Sequence, residues 1–146
     1  MPAIDPNRWT VKTQEAFQAA VDDARERANP EVTPDHLLAA LLSQPDGVVL
    51  PLLHKTGVQP ATAANEVRAR LDQLPAAYGG AEPTLSSALR SELNQADAQR
   101  SQMGDDYLST EHLLLAMAER LDLTRDQVLA ALSQVRGGHR VTNQNP

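Results

Sequence analysis

Thr33-Pro-Asp-His-Leu-Leu-Ala-Ala-Leu-Leu42 returns 76 residues further on as Ser109-Thr-Glu-His-Leu-Leu-Leu-Ala-Met-Ala118. Four of the ten positions are identical, and the acidic residue before His keeps its type. Each copy is preceded by one helical stripe and followed by another. A duplicated helical unit of this size cannot bury its apolar face alone, so the two halves must pack on each other. The chain is therefore expected to be all-α: two pseudo-twofold-related helical repeats in one compact domain, with a seam between them.

Working outward, Thr33 reads as an N-cap, with Pro34 at the first helical position and Asp35 near the positive end of the helix dipole. The Leu-rich helix that follows is apolar nearly all round and should be buried. Upstream, Ala16, Phe17, Ala20, Val21, Ala24 and Ala28 lie on one helix face, stopped by Asn29-Pro30. Downstream, a short third helix runs from Val48 to Lys55 and is closed by Gly57. Pro60 opens a fourth, with Ala64, Val67, Leu71 and Leu74 on one side. Residues 75–83, rich in Pro, Ala and Gly, form a linker.

The second unit starts with a stripe of Leu85, Ala88, Leu89, Leu93 and Ala96. Gly104-Asp-Asp-Tyr-Leu108 is the loop before the capping Ser109. Thr124-Arg-Asp-Gln127 is a capping box for a last helix carrying Val128, Leu129, Leu132 and Val135, ended by Gly137-Gly138. Seventeen residues separate Leu42 from Pro60 but only five separate Ala118 from Thr124. The second unit thus lacks the counterpart of the short third helix, and about seven helices are expected. The domain spans 1–138, with repeat one at about 10–74 and repeat two at about 84–138. The polar stretch 139–146 reads as the start of a linker leading onward.

The bulk numbers narrow the function. At 146 residues, one domain is the prior. Apolar residues make up 41% but only Trp9, Phe17, Tyr78 and Tyr107 are aromatic, so the core is Leu, Ala and Val. A net charge of −6 argues against a nucleic-acid surface. There is no cysteine for a disulfide or a Cys-ligated zinc site, and a reducing cytoplasm is compatible with that. No signal peptide is recognisable, and Leu37–Leu42 is far too short to span a bilayer.

Catalytic signatures are missing: no phosphate-binding glycine loop, no His-Glu-x-x-His, no nucleophile elbow. His36 and His112 occupy equivalent places in the repeat. Asp35/His36 and Glu111/His112 read either as a metal or acid–base site, or as helix-start residues with the carboxylate near free N–H groups and the imidazole packed locally. The second is favoured, because duplication copies structural residues with everything else. Asp105-Asp106 reads as an exposed acidic loop. Leu89 and Leu93 read as core, although Glu92 beside Leu93 suggests that part of this helix reaches solvent and offers a Leu to a peptide's apolar side chain.

With these marks in hand, the chain resembles the N-terminal domain of the Clp ATPases, most closely that of the ClpB-type disaggregases. The resemblance is carried by Trp9-Thr-Val-Lys-Thr-Gln-Glu-Ala-Phe17, the two Asp/Glu-His-Leu-Leu helix starts, Leu71-Asp-Gln-Leu-Pro75, Gly104-Asp-Asp-Tyr-Leu-Ser-Thr-Glu111 and the ending Val135–Pro146. It implies a mobile, non-catalytic substrate-handling domain. The parent would be a cytoplasmic homohexameric ATPase that extracts chains from aggregates with a DnaK-type chaperone. ATP and magnesium would belong to other modules, and no cofactor, metal, nucleic acid or membrane to this one.

By motif, the resemblance assigns substrate contact to a shallow apolar groove with Thr10, Leu93, Asp105, Glu111 and His112, where His112 replaces an apolar residue of some relatives. The alternative within the same family is a ClpC-like domain that binds an adaptor or reads phosphoarginine at Asp35 and Glu111. Outside that class, the rivals are a purely structural spacer and a helical DNA-binding unit, the latter disfavoured by the acidic balance.

Overall fold

The structure is a computed structural model that describes residues 5–77, 79 and 82–146. Among them are seven α-helices: α1 Val11–Glu26, α2 Pro34–Leu42, α3 Val49–Thr56, α4 Pro60–Asp72, α5 Ser87–Gln102, α6 Thr110–Met117 and α7 Arg125–Arg136. Two very short strands, β1 Glu31–Val32 and β2 Thr84–Leu85, pair in parallel. Part of the expected linker, at 78, 80 and 81, lies outside the described residues.

Local sequence explains the helix starts. Thr10 and Ser86, one repeat offset apart, cap α1 and α5, their hydroxyls accepting from Thr13 N–H at 3.3 Å and Leu89 N–H at 3.0 Å. Thr124 and Gln127 form the expected capping box of α7. The Leu-rich helices α2 and α6 sit at the centre: α1 and α4 cover α2, while α5 and α7 cover α6. One apolar cluster runs through both halves, including Leu38 and Leu41 from α2 and Leu113 and Leu114 from α6.

The halves interlock rather than merely touch. Trp9, just before α1, bridges in parallel to Leu108, just before α6. Leu85, just before α5, pairs with Val32, just before α2. The two pairings are the same contact seen from each side of the pseudo-twofold, and each uses one residue from each half. Neither half can complete its backbone hydrogen bonds without the other.

The expected inequality is present. Where α3 would recur, the second half makes a single 3₁₀ turn, Ala118–Leu121, ending in Asp122 at φ 58°. Gly57, which ends α3, sits in the same left-handed region at φ 87°. α3 packs across onto α7 of the other half. Three local expectations shift. Helix α1 stops at Glu26, before Ala28, which turns to φ 56° so that Asn29 can reach inward. Helix α3 starts at Val49. Val135, expected on the buried stripe of α7, is 40% exposed because the stripe runs out at the last turn.

Candidate functional site

The two repeated histidines are caps. His36 Nδ1 accepts the Thr33 N–H at 2.8 Å, and His112 Nδ1 accepts the Ser109 N–H at 2.8 Å. Each is the third residue of its helix, so an imidazole plays the part that Glu or Gln plays in the usual capping box. Because Nδ1 accepts, Nε2 carries the proton. It donates to Asn29 Oδ1 at 2.8 Å in the first half and to Asp105 Oδ2 at 2.7 Å in the second. Burial, the largest influence on both rings, pushes their pKa below the ordinary 6.5. Every ring nitrogen is committed to structure, which rules in favour of the local-packing reading.

Asn29 and Asp105 are one repeat offset apart, and their difference shapes the second half. Asp105 is 2% exposed, not the exposed acidic residue expected from its loop. Burial works against its charge, but a hydrogen bond from Arg136, one from the Val141 N–H and one from His112 together hold its carboxyl below the usual range. Arg136 Nη1 also lies 3.5 Å from Glu111 Oε2, and Ser109 Oγ donates to Glu111 Oε1. In the first half Asp35 is held by both ends of the Arg70 guanidinium, at 2.9 and 3.0 Å. Each acidic helix start therefore already carries one of the protein's own arginines.

The seam between the halves opens into a cleft of about 320 Å³ beside Thr10, Lys12, Val48, Ser109 and Glu111. Residues 139–146 run along it. The Asp106 N–H donates to the Val141 carbonyl at 2.8 Å, and the Val141 N–H donates to Asp105 Oδ1 at 2.9 Å. Val141 itself is buried. Further on, the Gln144 carbonyl accepts the Val11 N–H, an otherwise unpaired donor in the first turn of α1, at 2.6 Å. Gln144 Nε2 donates to the Asn7 carbonyl at 3.0 Å and the Trp9 carbonyl at 3.2 Å.

The structure brings Thr10 and Glu111 to this cleft, though both are mostly buried. It does not bring Leu93, which is 1% exposed in the core, nor His112, fully buried as a cap. Part of this stretch of α5 reaches solvent, at Arg90, Ser91, Asn94 and Gln95, but it offers no Leu there: Glu92 is 9% exposed and folds onto Arg120, which grips both its oxygens at 2.7–2.8 Å. Arg136, Val48 and Val141 line the cleft and were not singled out from sequence. The signal for Arg136 was faint, one basic residue at a helix end. A second cleft, about 490 Å³, lies between α1 and α2 over the small side chains Ala16, Ala19, Ala39 and Ala40.

The comparisons with known proteins agree with this geometry. The Clp repeat (R) N-terminal domain family matches residues 8–132. The chain is 38% identical to the chaperone protein ClpB of Corynebacterium diphtheriae and of Mycobacterium bovis, over 94% and 98% of its own length. It spans about a fifth of those relatives, 18% of each. Among solved structures, the Hsp104 N-terminal domain of Candida albicans superposes with a TM-score of 0.80 at 21% identity, covering 93% of this chain and 96% of that one. The N-terminal domain of the E. coli ClpV1 ATPase gives 0.78 at 24% identity, covering 96% and 91%. A ClpV N-domain solved in complex with a VipB peptide gives 0.66 at 23% identity, covering 92% and 81%. With its duplicated helix starts, interlocked halves and matching relatives, the chain belongs to the Clp repeat N-terminal domain family.

Proposed function

We propose that this chain is the substrate-handling N-terminal domain of a ClpB-type disaggregase and that it captures unfolded or aggregated polypeptide in the crease beside Thr10 and Glu111. One observation carries the reading: along one wall of the crease the domain holds a stretch of polypeptide, residues 139–146, through backbone hydrogen bonds and one buried side chain, and leaves about 320 Å³ open beside it. Backbone donors do not discriminate among sequences, which suits a domain whose clients share only their lack of structure. That a relative, ClpV, has been solved with a VipB peptide on its N-domain adds support from the family.

Capture here is weak by construction. Burying one Val-sized side chain is worth about 1.5–3 kcal/mol. Ordering each residue of the guest costs about 1–2 kcal/mol. Several copies on a homohexameric parent, working with a DnaK-type chaperone, would gain through effective concentration and still release the client toward the pore. ATP and magnesium serve other modules in this reading, and the setting is cytoplasmic. No described helix is long and apolar enough to cross a membrane. The phosphoarginine alternative is disfavoured because Arg70 and Arg136 occupy the carboxylates of Asp35 and Glu111 that would receive a guanidinium.

Amide shift mapping with reduced, carboxymethylated α-lactalbumin tests the reading. Shifts at Val11, Asp106 and Thr110 are expected. Silence there overturns it, and shifts around Asp35 and Glu111 on adding phosphoarginine would favour the alternative.

A further inference from the structure

We infer that segment 139–146 is a resident competitor along one wall of the crease, and that its Val141-x-x-Gln144 pattern is the template of what that wall accepts: a stretch bent at 143–144, with a small apolar residue followed three positions later by a carboxamide. The inference rests on the crease being the capture site and adds its regulation and its preference. Three observations converge. Val141 is 5% exposed, although its neighbours His139, Arg140, Thr142 and Asn143 are exposed, so one side chain of the segment is selected for burial. Its N–H and carbonyl are both paired, to Asp105 and Asp106. Gln144 then uses its main-chain carbonyl on Val11 and its side-chain amide on Asn7 and Trp9.

The carbonyls of Asn7 and Trp9 point at a donor that a carboxamide supplies and a carboxylate does not. A guest with Asp or Glu at that place would set an acceptor against two acceptors. The apolar place is equally restricted, since the Asp105 carboxylate beneath it already receives Arg136, His112 and the guest's own N–H. A client must displace the segment before it can use these groups. The apparent affinity is therefore lowered by the fraction of time the crease is free.

The test compares the 146-residue chain with Gln144→Ala, which leaves Val141 on Asp105, and with Val141→Ser/Gln144→Ala, checking each fold by circular dichroism. The probes are carboxymethylated α-lactalbumin, a blocked hexapeptide of sequence Arg-Val-Thr-Asn-Gln-Asn and its scrambled form. If the segment holds its place on the crease wall four-fifths of the time, loosening it tightens client binding about fivefold. The hexapeptide, and not the scrambled one, is expected to bind the double variant with shifts at Val11 and Asp106. Equal client affinity for all three chains overturns the competition and leaves the capture reading standing. Equal binding of the two peptides overturns the preference. Absence of any client shift in the crease of all three chains overturns the capture reading and this inference together.

Discussion

The two halves share a ground plan and differ in what stabilises the inner end of each repeat. In the first, His36 leans on a neutral amide, Asn29, whose own Nδ2 donates to the Pro75 carbonyl at 3.0 Å. In the second, His112 leans on a carboxylate, Asp105, that also holds Arg136 and the Val141 N–H. The segment after the last helix of each half makes a backbone bond to the loop before the repeated helix start: the Ala77 N–H donates to the Ala28 carbonyl at 2.7 Å, and the Asp106 N–H donates to the Val141 carbonyl at 2.8 Å. A neutral cap needs no counter-charge. A buried carboxylate needs a cation and several donors, and recruiting them draws Arg136 and residues 139–146 onto the seam. The difference of a single residue type thus sets which half carries a buried ion pair at its seam.

The comparison is broken most directly at Asp105. Asp105→Ala leaves Arg136 buried without its main partner and should cost about 3–5 kcal/mol in urea denaturation. Asn29→Ala should cost about 1–3 kcal/mol, because it orphans neutral groups only. Equal costs would mean the buried charge does not set the halves apart.

Next in size is Leu93, one repeat offset from Phe17. Leu93 is wholly buried, so Leu93→Ala should destabilise by about 2–5 kcal/mol. The position is a core position; any loss of client binding in that variant should track unfolding.

Backbone conformation sharpens the comparison further. Ala28 at φ 56° and Gly104 at φ 73° are equivalent. Ala28→Gly should stabilise by about 1 kcal/mol, the order of the left-handed strain it relieves. Gly104→Ala should destabilise, since its φ of 73° strains any L side chain, while the Arg140 guanidinium that a Cβ would meet is free to swing aside. Thermal unfolding of the pair reads both signs.

The smallest effect is on pH. His36 and His112 have folded pKa values below the ordinary 6.5 that they regain on unfolding. Their contribution is present above pH 6.5 and declines as pH falls below it, by at most about 1.4 kcal/mol per unit for each ring. His36→Gln keeps a capping-box partner and should remove the first half's share of that slope. The Asp105 carboxyl, held below 3.8, gives stability that persists above that value and is lost at lower pH.

Much of the fold was legible because it was written twice. Thr33, Ser109 and Thr124 announced helix starts by residue type, and the short interval between Ala118 and Thr124 announced the missing helix. The strands were not legible, since two-residue pairings carry no periodicity. The site was legible only in part. Thr10 and Glu111 reach the crease and Asp105 holds the Val141 N–H at its wall, but Leu93 and His112 carry the family's motif while spending their side chains on the interior.

Local signals, hydrophobic spacing and capping chemistry, are properties of neighbouring residues, so the chain alone determined the helical class, the duplication and the inequality of the repeats. Whether a carboxylate ends up bare or matched is a property of residues far apart in the chain. Only the packed structure decided that Arg136 and Arg70 neutralise the acidic helix starts and that Val141 and Gln144 lie along the seam, because those choices follow from where folding brings distant donors to buried acceptors.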